Sequence, residues 1–141
     1  MPKIDFYVLP DSAPEARDRL ACRVAEKAYG LGHRVHIHTD SVEDALRLDA
    51  LLWTFRDRSF VPHKIEPATS DECPVSIGHD WTPPRCEVLI NLAPHAPAFF
   101  DRFERVAEII CHTSEAQDSG RERYRLYRER GCELRHYTLS R

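Results

Sequence analysis

Apolar residues along this chain gather in short dense runs, and between the runs they recur every third or fourth position. The first run, over residues 4–9, is apolar on both faces from Phe6 onward, which predicts a strand covered by helices on each side. Asp11, Ser12 and Pro14 mark a turn and a helix entry. A helix over 15–31 follows, with Leu20, Ala21, Val24, Ala25 and Ala28 at helical spacing and Gly30 and Gly32 at its end. Residues 34–38 read as a second strand. Ser41 is placed to cap a helix from 42 to about 53, whose positive first turn holds Glu43 and Asp44. Strands over 75–78 and 87–92 come next, then a break at Pro94 and Pro97 and a short helix over 98–103. A strand over 106–111, a helix over 114–130 and a closing strand over 133–137 complete the pattern. Residues 64–86, rich in Pro, Ser, Thr and acidic side chains, are the least predictable part, with a long loop expected between elements.

Alternation of strands and helices implies a mainly parallel sheet with right-handed crossovers and helices on both faces, a Rossmann-like α/β fold. At 141 residues the chain has the size of a single domain spanning 1–141. A net charge of −3 gives no whole-protein attraction to nucleic acid. The charge is uneven, however: residues 121–130 hold five arginines against two glutamates, so an anionic partner should dock there. No basic start followed by an apolar run is visible, and no stretch reaches membrane-spanning length, so a cytoplasmic protein is expected. Cys22, Cys73, Cys86, Cys111 and Cys132 are odd in number and widely spaced, as expected of buried free thiols rather than a disulfide framework or zinc ribbon.

A doubly wound sheet invites a nucleotide, but the first strand–helix turn reads Leu9-Pro10-Asp11-Ser12-Ala13-Pro14-Glu15. It lacks the glycines that let a backbone approach phosphate, and its acidic side chains would repel one; no cofactor is expected. His36 and His38 lie two apart on a strand and so share a face, and with Asp40 they sketch a divalent-metal site. No further His or Cys stands at ligand spacing. The plainer reading fills the other face with Val35 and Ile37 and lets the histidines lead out at the strand's end. Cys111 and His112 suggest a nucleophile and its base, but adjacent strand residues point to opposite faces and cannot pair directly.

Two segments stand out as binding surfaces. In the helix over 114–130, Ser114 reads as the N-cap and Gln117 as its capping-box partner, with Gly131 as the stop. On a wheel of about 100° per residue, Gln117, Arg121, Tyr124, Arg125 and Arg128 form one stripe facing water. Ala116, Ser119, Leu126 and Tyr127 fall on the buried side. A tyrosine among arginines offers an apolar wall beside forked cationic donors, which suits a peptide carrying a carboxylate and an aromatic ring. The second segment, residues 52–63, carries Trp53, Phe55 and Phe60 on neither a helical nor a strand period, and Pro62 bars a central strand. Such aromatics either seal one end of the core or form a protein–protein hot spot.

Three segments resemble, in order, the chi subunit of bacterial DNA polymerase III, an accessory protein of the clamp loader. They are Asp5-Phe6-Tyr7-Val8-Leu9, then Arg47-Leu48-Asp49 with Leu52-Trp53 and Ser59-Phe60-Val61-Pro62-His63, and finally Arg121-Glu122-Arg123-Tyr124-Arg125-Leu126-Tyr127-Arg128. The resemblance implies a non-catalytic adaptor. Arg121, Tyr124 and Arg125 match the family's residues for the acidic tail of single-stranded DNA-binding protein, which ends in Pro-Phe with a free carboxylate. Gln117 stands where a basic residue is expected, so Arg128 is the cation that could take its place. His136 stands where a small hydroxyl residue is expected and adds a donor. Trp53 and Phe60, with Val61 and Pro62, match the surface for the psi subunit, which a helicase could also use. Nucleic acid is then contacted indirectly. The alternatives are a direct single-strand DNA binder using Arg121, Tyr124 and Arg125, and an enzyme suggested by the fold alone.

Overall fold

The computed structural model describes residues 1–54, 63–65, 74–79 and 87–139. Its strands are β1 (Lys3–Val8), β2 (Val35–His38), β3 (His63–Ile65), β4 (Val75–Gly78), β5 (Val88–Asn91), β6 (Arg105–Ile110) and β7 (Glu133–Thr138). Its α-helices are α1 (Pro14–Gly30), α2 (Val42–Thr54) and α3 (Ser114–Glu129). The strands form one sheet in the order β3-β4-β2-β5-β6-β1-β7, and each pair runs parallel. Helices cover both faces, as expected for dense apolar strands.

Strand alternation divides the core in two. Val35, Ile37, Val88 and Ile90 point to the side covered by α1 and α2, where they meet Ala21, Cys22, Ala25, Ala45, Leu48 and Leu52. Leu89, Val106, Ile110, Ile4 and Phe6 point to the other side and pack with Phe100, Phe103 and Tyr127. Both α1 and α3 end where a following glycine takes a left-handed turn, Gly32 at φ +84° and Gly131 at φ +82°. In each, the next amide reaches back to close the last turn: His33 to Ala28 O and Cys132 to Tyr127 O, both at 3.0 Å.

Four local expectations need correction. Residues 98–103 form no α-helix but a 3₁₀ turn at Phe100–Arg102, squeezed between Pro97 and an extended Phe103. Part of the long loop expected from 64 onward belongs to β3, a three-residue strand added to the edge of β4. The cap of α3 is Thr113 rather than Ser114: Thr113 has extended backbone and its Oγ1 accepts the Ala116 amide at 3.1 Å. With alanine at that third position no capping box closes, and the Gln117 side chain meets His112 Nδ1 at 3.3 Å instead. Finally, His36 does not lead out of the sheet. It is fully buried, its Nδ1 2.7 Å from Ser76 Oγ, with Phe99 edge-on to it and to His38. Burial, with the neighbouring His38 a lesser cause, holds its pKa down at about 3.

Cys22 and Cys111 are buried free thiols and Cys132 is half-buried; Cys73 and Cys86 lie outside the described residues. Among the described residues no group of three His, Cys, Asp or Glu side chains could hold a metal ion, and no helix is long and apolar enough to cross a membrane.

Candidate functional site

Helix α3 lies over β6 and β1 and runs back beside β7, leaving a groove of about 260 Å³ along its flank. Phe6 and Val8 of β1, Ile110 of β6 and Gly120 of α3 supply apolar lining, while Gln117, Arg121 and Tyr124 of α3 and His136 of β7 line it with polar groups. Gly120 keeps the groove open. A Cβ added there would stand 2.5 Å from Ile110 Cδ1 and force that methyl aside. Four of the six residues expected to bind a peptide tail thus meet in one depression. Arg125 and Arg128 are exposed on α3 but do not line it.

Tyr124 is half-buried rather than exposed, its ring 5.4 Å from that of Phe6. It forms a wall, not a free stacking platform. Arg121 is exposed and held by Asp118, three residues back, at 2.7 Å. The arginine stripe is therefore partly relieved by a carboxylate one turn away. Such an exposed pair is worth little in water, and its guanidinium can turn to a better anion at small cost.

What holds α3 in place is polar. Arg123 is 6% exposed and donates from Nε to Glu108 Oε1 at 2.9 Å and from Nη1 to Pro94 O at 2.7 Å. Tyr127 Oη and Asn91 Nδ2 donate to the other oxygen, Glu108 Oε2, at 2.5 and 2.9 Å. Burial pushes the Glu108 carboxyl up, by more than its three donors, Arg123, Asn91 and Tyr127, bring it down. The wheel shows Tyr127 inward but gives no hint of Arg123, because a buried arginine is unexpected until its carboxylate is found on a strand 15 residues away.

A larger cleft of about 530 Å³ opens where the loops after β5, β6 and β1 meet, the place where open parallel sheets bind ligands. Both cations lining it are engaged. Arg123 is bound as above, and Arg17 reaches Leu92 O and the buried Asp18, each at 3.3 Å.

On the opposite side of the sheet, Trp53 sits in the last turn of α2, 53% exposed. Phe60, Val61 and Pro62 lie outside the described residues. Trp53 has exposed company on its own helix: Leu46 at 55% and Val42 at 46%, with exposed Ala50 between them and it. These positions, spaced four, four and three apart, form a second apolar stripe away from the buried Ala45, Leu48 and Leu52.

A family model described as DNA polymerase III chi subunit, HolC, matches residues 1–135 of this chain. A DNA polymerase III subunit chi from Pseudomonas aeruginosa is 38% identical over 142 residues, covering 100% of this chain and 99% of that one. Proteins of the same description from Haemophilus influenzae and Escherichia coli are each 29% identical, over 92% and 95% of this chain and 92% and 96% of their own lengths. The chain belongs to the chi-subunit family of DNA polymerase III, and with it to the accessory machinery of DNA replication.

Proposed function

We propose that this protein is a non-catalytic adaptor of the replisome that holds one protein at each side of its sheet. The groove between α3 and β7 takes the acidic C-terminal tail of single-stranded DNA-binding protein. The surface around Trp53 docks on the psi subunit and through it on the clamp loader, and Phe60, Val61 and Pro62, which lie outside the described residues, are assigned to the same contact from the sequence alone. Working inside a polymerase assembly, such an adaptor is cytoplasmic and meets DNA through its partners.

The observation that carries this reading is the groove's composition. Its apolar lining of Phe6, Val8 and Ile110 suits a terminal phenyl ring, and Tyr124 walls it. Arg121 at the rim presents a two-pronged donor to a terminal carboxylate. Gln117 and His136 add donors, and Arg125 and Arg128 lie outside the groove on the same helix, where upstream aspartates would pass. The apolar stripe on α2 supports the second surface, since exposed Leu46, Val42 and Trp53 lose little by being covered.

The test is titration of a fluorescent tail peptide against wild type and Arg121→Ala. A charge-assisted hydrogen bond contributes about 1.5–3 kcal/mol, so affinity should fall roughly ten- to a hundredfold. A peptide lacking the final Phe should bind more weakly than one with any single upstream Asp neutralised. Equal binding of the peptide without Phe would place the tail elsewhere. Competition by single-stranded DNA for the same groove would favour direct DNA binding.

A further inference from the structure

Among the described residues, strand β7 is an edge of the sheet, and it is six residues long where the opposite edge, β3, has three. The Leu139 amide donates to Val8 O at 2.9 Å, so odd-numbered peptide groups at this end point toward β1. By strand alternation the peptide groups of Leu134, His136 and Thr138 point outward, along a strand that is mostly exposed. Outward-facing donors and acceptors of this kind are a template for another extended chain.

Charge decides what that chain is. Glu133 at the strand's start is matched by Lys3 at 3.9 Å, while the middle presents exposed Arg135 and His136. A second copy paired antiparallel about the middle of β7 can set Arg135 directly against Arg135, which opposes self-association. An acidic strand meets the reverse situation, with Arg121 of α3 lining the same groove as His136 and Arg125 and Arg128 exposed on the same helix. Position decides where it comes from. His136 lines the groove and also offers its peptide group to the open edge, so a chain leaving the groove past His136 arrives beside β7.

We infer that the acidic segment upstream of the groove-bound residue is held as an eighth strand on β7, through its backbone. This rests on the tail-binding reading above and adds to it a backbone register. Side-chain contacts at the groove supply the anchor, and the strand supplies affinity that tolerates changes in the upstream sequence provided the segment stays extended and acidic.

The experiment titrates tail peptides carrying a single N-methyl group at successive upstream amides, which removes a donor and leaves every side chain and charge intact. Alternate positions should weaken binding by about three- to tenfold, the range of one net hydrogen bond, while the positions between them change little. A second arm uses Thr138→Pro, which deletes an outward amide, beside Thr138→Ala, which keeps it. Proline should weaken a long peptide but not a short one that only fills the groove, with thermal melts showing both variants folded. Uniform insensitivity to N-methylation, with binding still dependent on the terminal Phe, overturns the eighth strand and leaves the groove reading standing. Failure of every tail peptide to bind overturns both.

Discussion

Helices α2 and α3 cover opposite faces of one sheet, and each buries three residues against it, but they are built on opposite chemistry. Inward, α2 buries Ala45, Leu48 and Leu52, while α3 buries Gly120, Arg123 and Tyr127. Outward, α2 shows Val42, Leu46 and Trp53, while α3 shows Arg121, Arg125 and Arg128. An apolar inner face is held by area and tolerates small shifts; a polar one is held by a few directed bonds and has one register. The outer faces differ the same way. A stripe like that of α2 binds by excluding water and should ignore salt, whereas that of α3 binds anions and should feel it. A site that must present two or three donors to a peptide terminus gains from the helix that cannot slide.

The sharpest way to break this contrast is to remove the polar anchor of α3. Arg123→Ala leaves the Glu108 carboxylate buried without its cation and should destabilise the fold by about 3–5 kcal/mol in urea unfolding. Replacing both partners with apolar residues, Arg123→Met with Glu108→Leu, should recover much of that stability yet still weaken tail binding, because the register of α3 is no longer imposed. Full recovery of both would make α3 no different from α2.

Next in size is a pH effect from the same face of the sheet, where His36 is buried neutral. Its folded pKa of about 3 lies below the ordinary 6.5, so the unfolded chain takes up the proton first as pH falls. Stability should therefore decline below about pH 6.5, by about 1.4 kcal/mol for each unit until pH approaches 3. Unfolding of wild type and His36→Gln at pH 6.5 and 4.5 measures it. The variant, with no proton to gain at that site, should lose about 2 kcal/mol less over the interval. Parallel pH profiles would show that His36 is already charged in the fold.

A smaller effect is expected outside the core of α2. Trp53→Ala should cost about 2 kcal/mol of binding to the clamp-loader side, and Leu46→Ala somewhat less, with circular dichroism unchanged. Loss of the folded signal instead would assign these side chains to the core. The mildest test is salt. Raising it from roughly 0.05 to 0.5 M should weaken tail binding several-fold, because exposed charges are screened over a Debye length of about 10 Å at 0.1 M. Binding through α2 should barely move.

Periodicity made most of the fold legible because burial on both faces turns each strand into a run and each helix into a stripe. The dense run at residues 4–9 and the spacing from Leu20 to Ala28 correspond to β1 and α1 within a residue or two. What stayed hidden was whatever depends on a distant partner. Strand β3 is three residues long and exists only because β4 lies beside it. The burial of His36 is not legible from its own segment, because Ser76, which its ring meets, lies 40 residues away. In the site, the stripe of Gln117, Arg121 and Tyr124 was visible on a wheel, but its apolar lining comes from β1 and β6. The outer stripe of α2 was missed for a different reason: a helix with apolar residues on two sides looks, in one dimension, simply more hydrophobic.

Strand β1, first in the chain, pairs with β6 and β7, the last two strands made. A ribosome releases the opening residues long before their neighbours exist, so this end of the sheet waits until residues 133–138 have been made. The groove shares that delay, since Phe6 and Val8 line it from the opening strand and His136 from the closing one. A chain interrupted after residue 130 would hold every arginine of α3 and still have no complete groove to present.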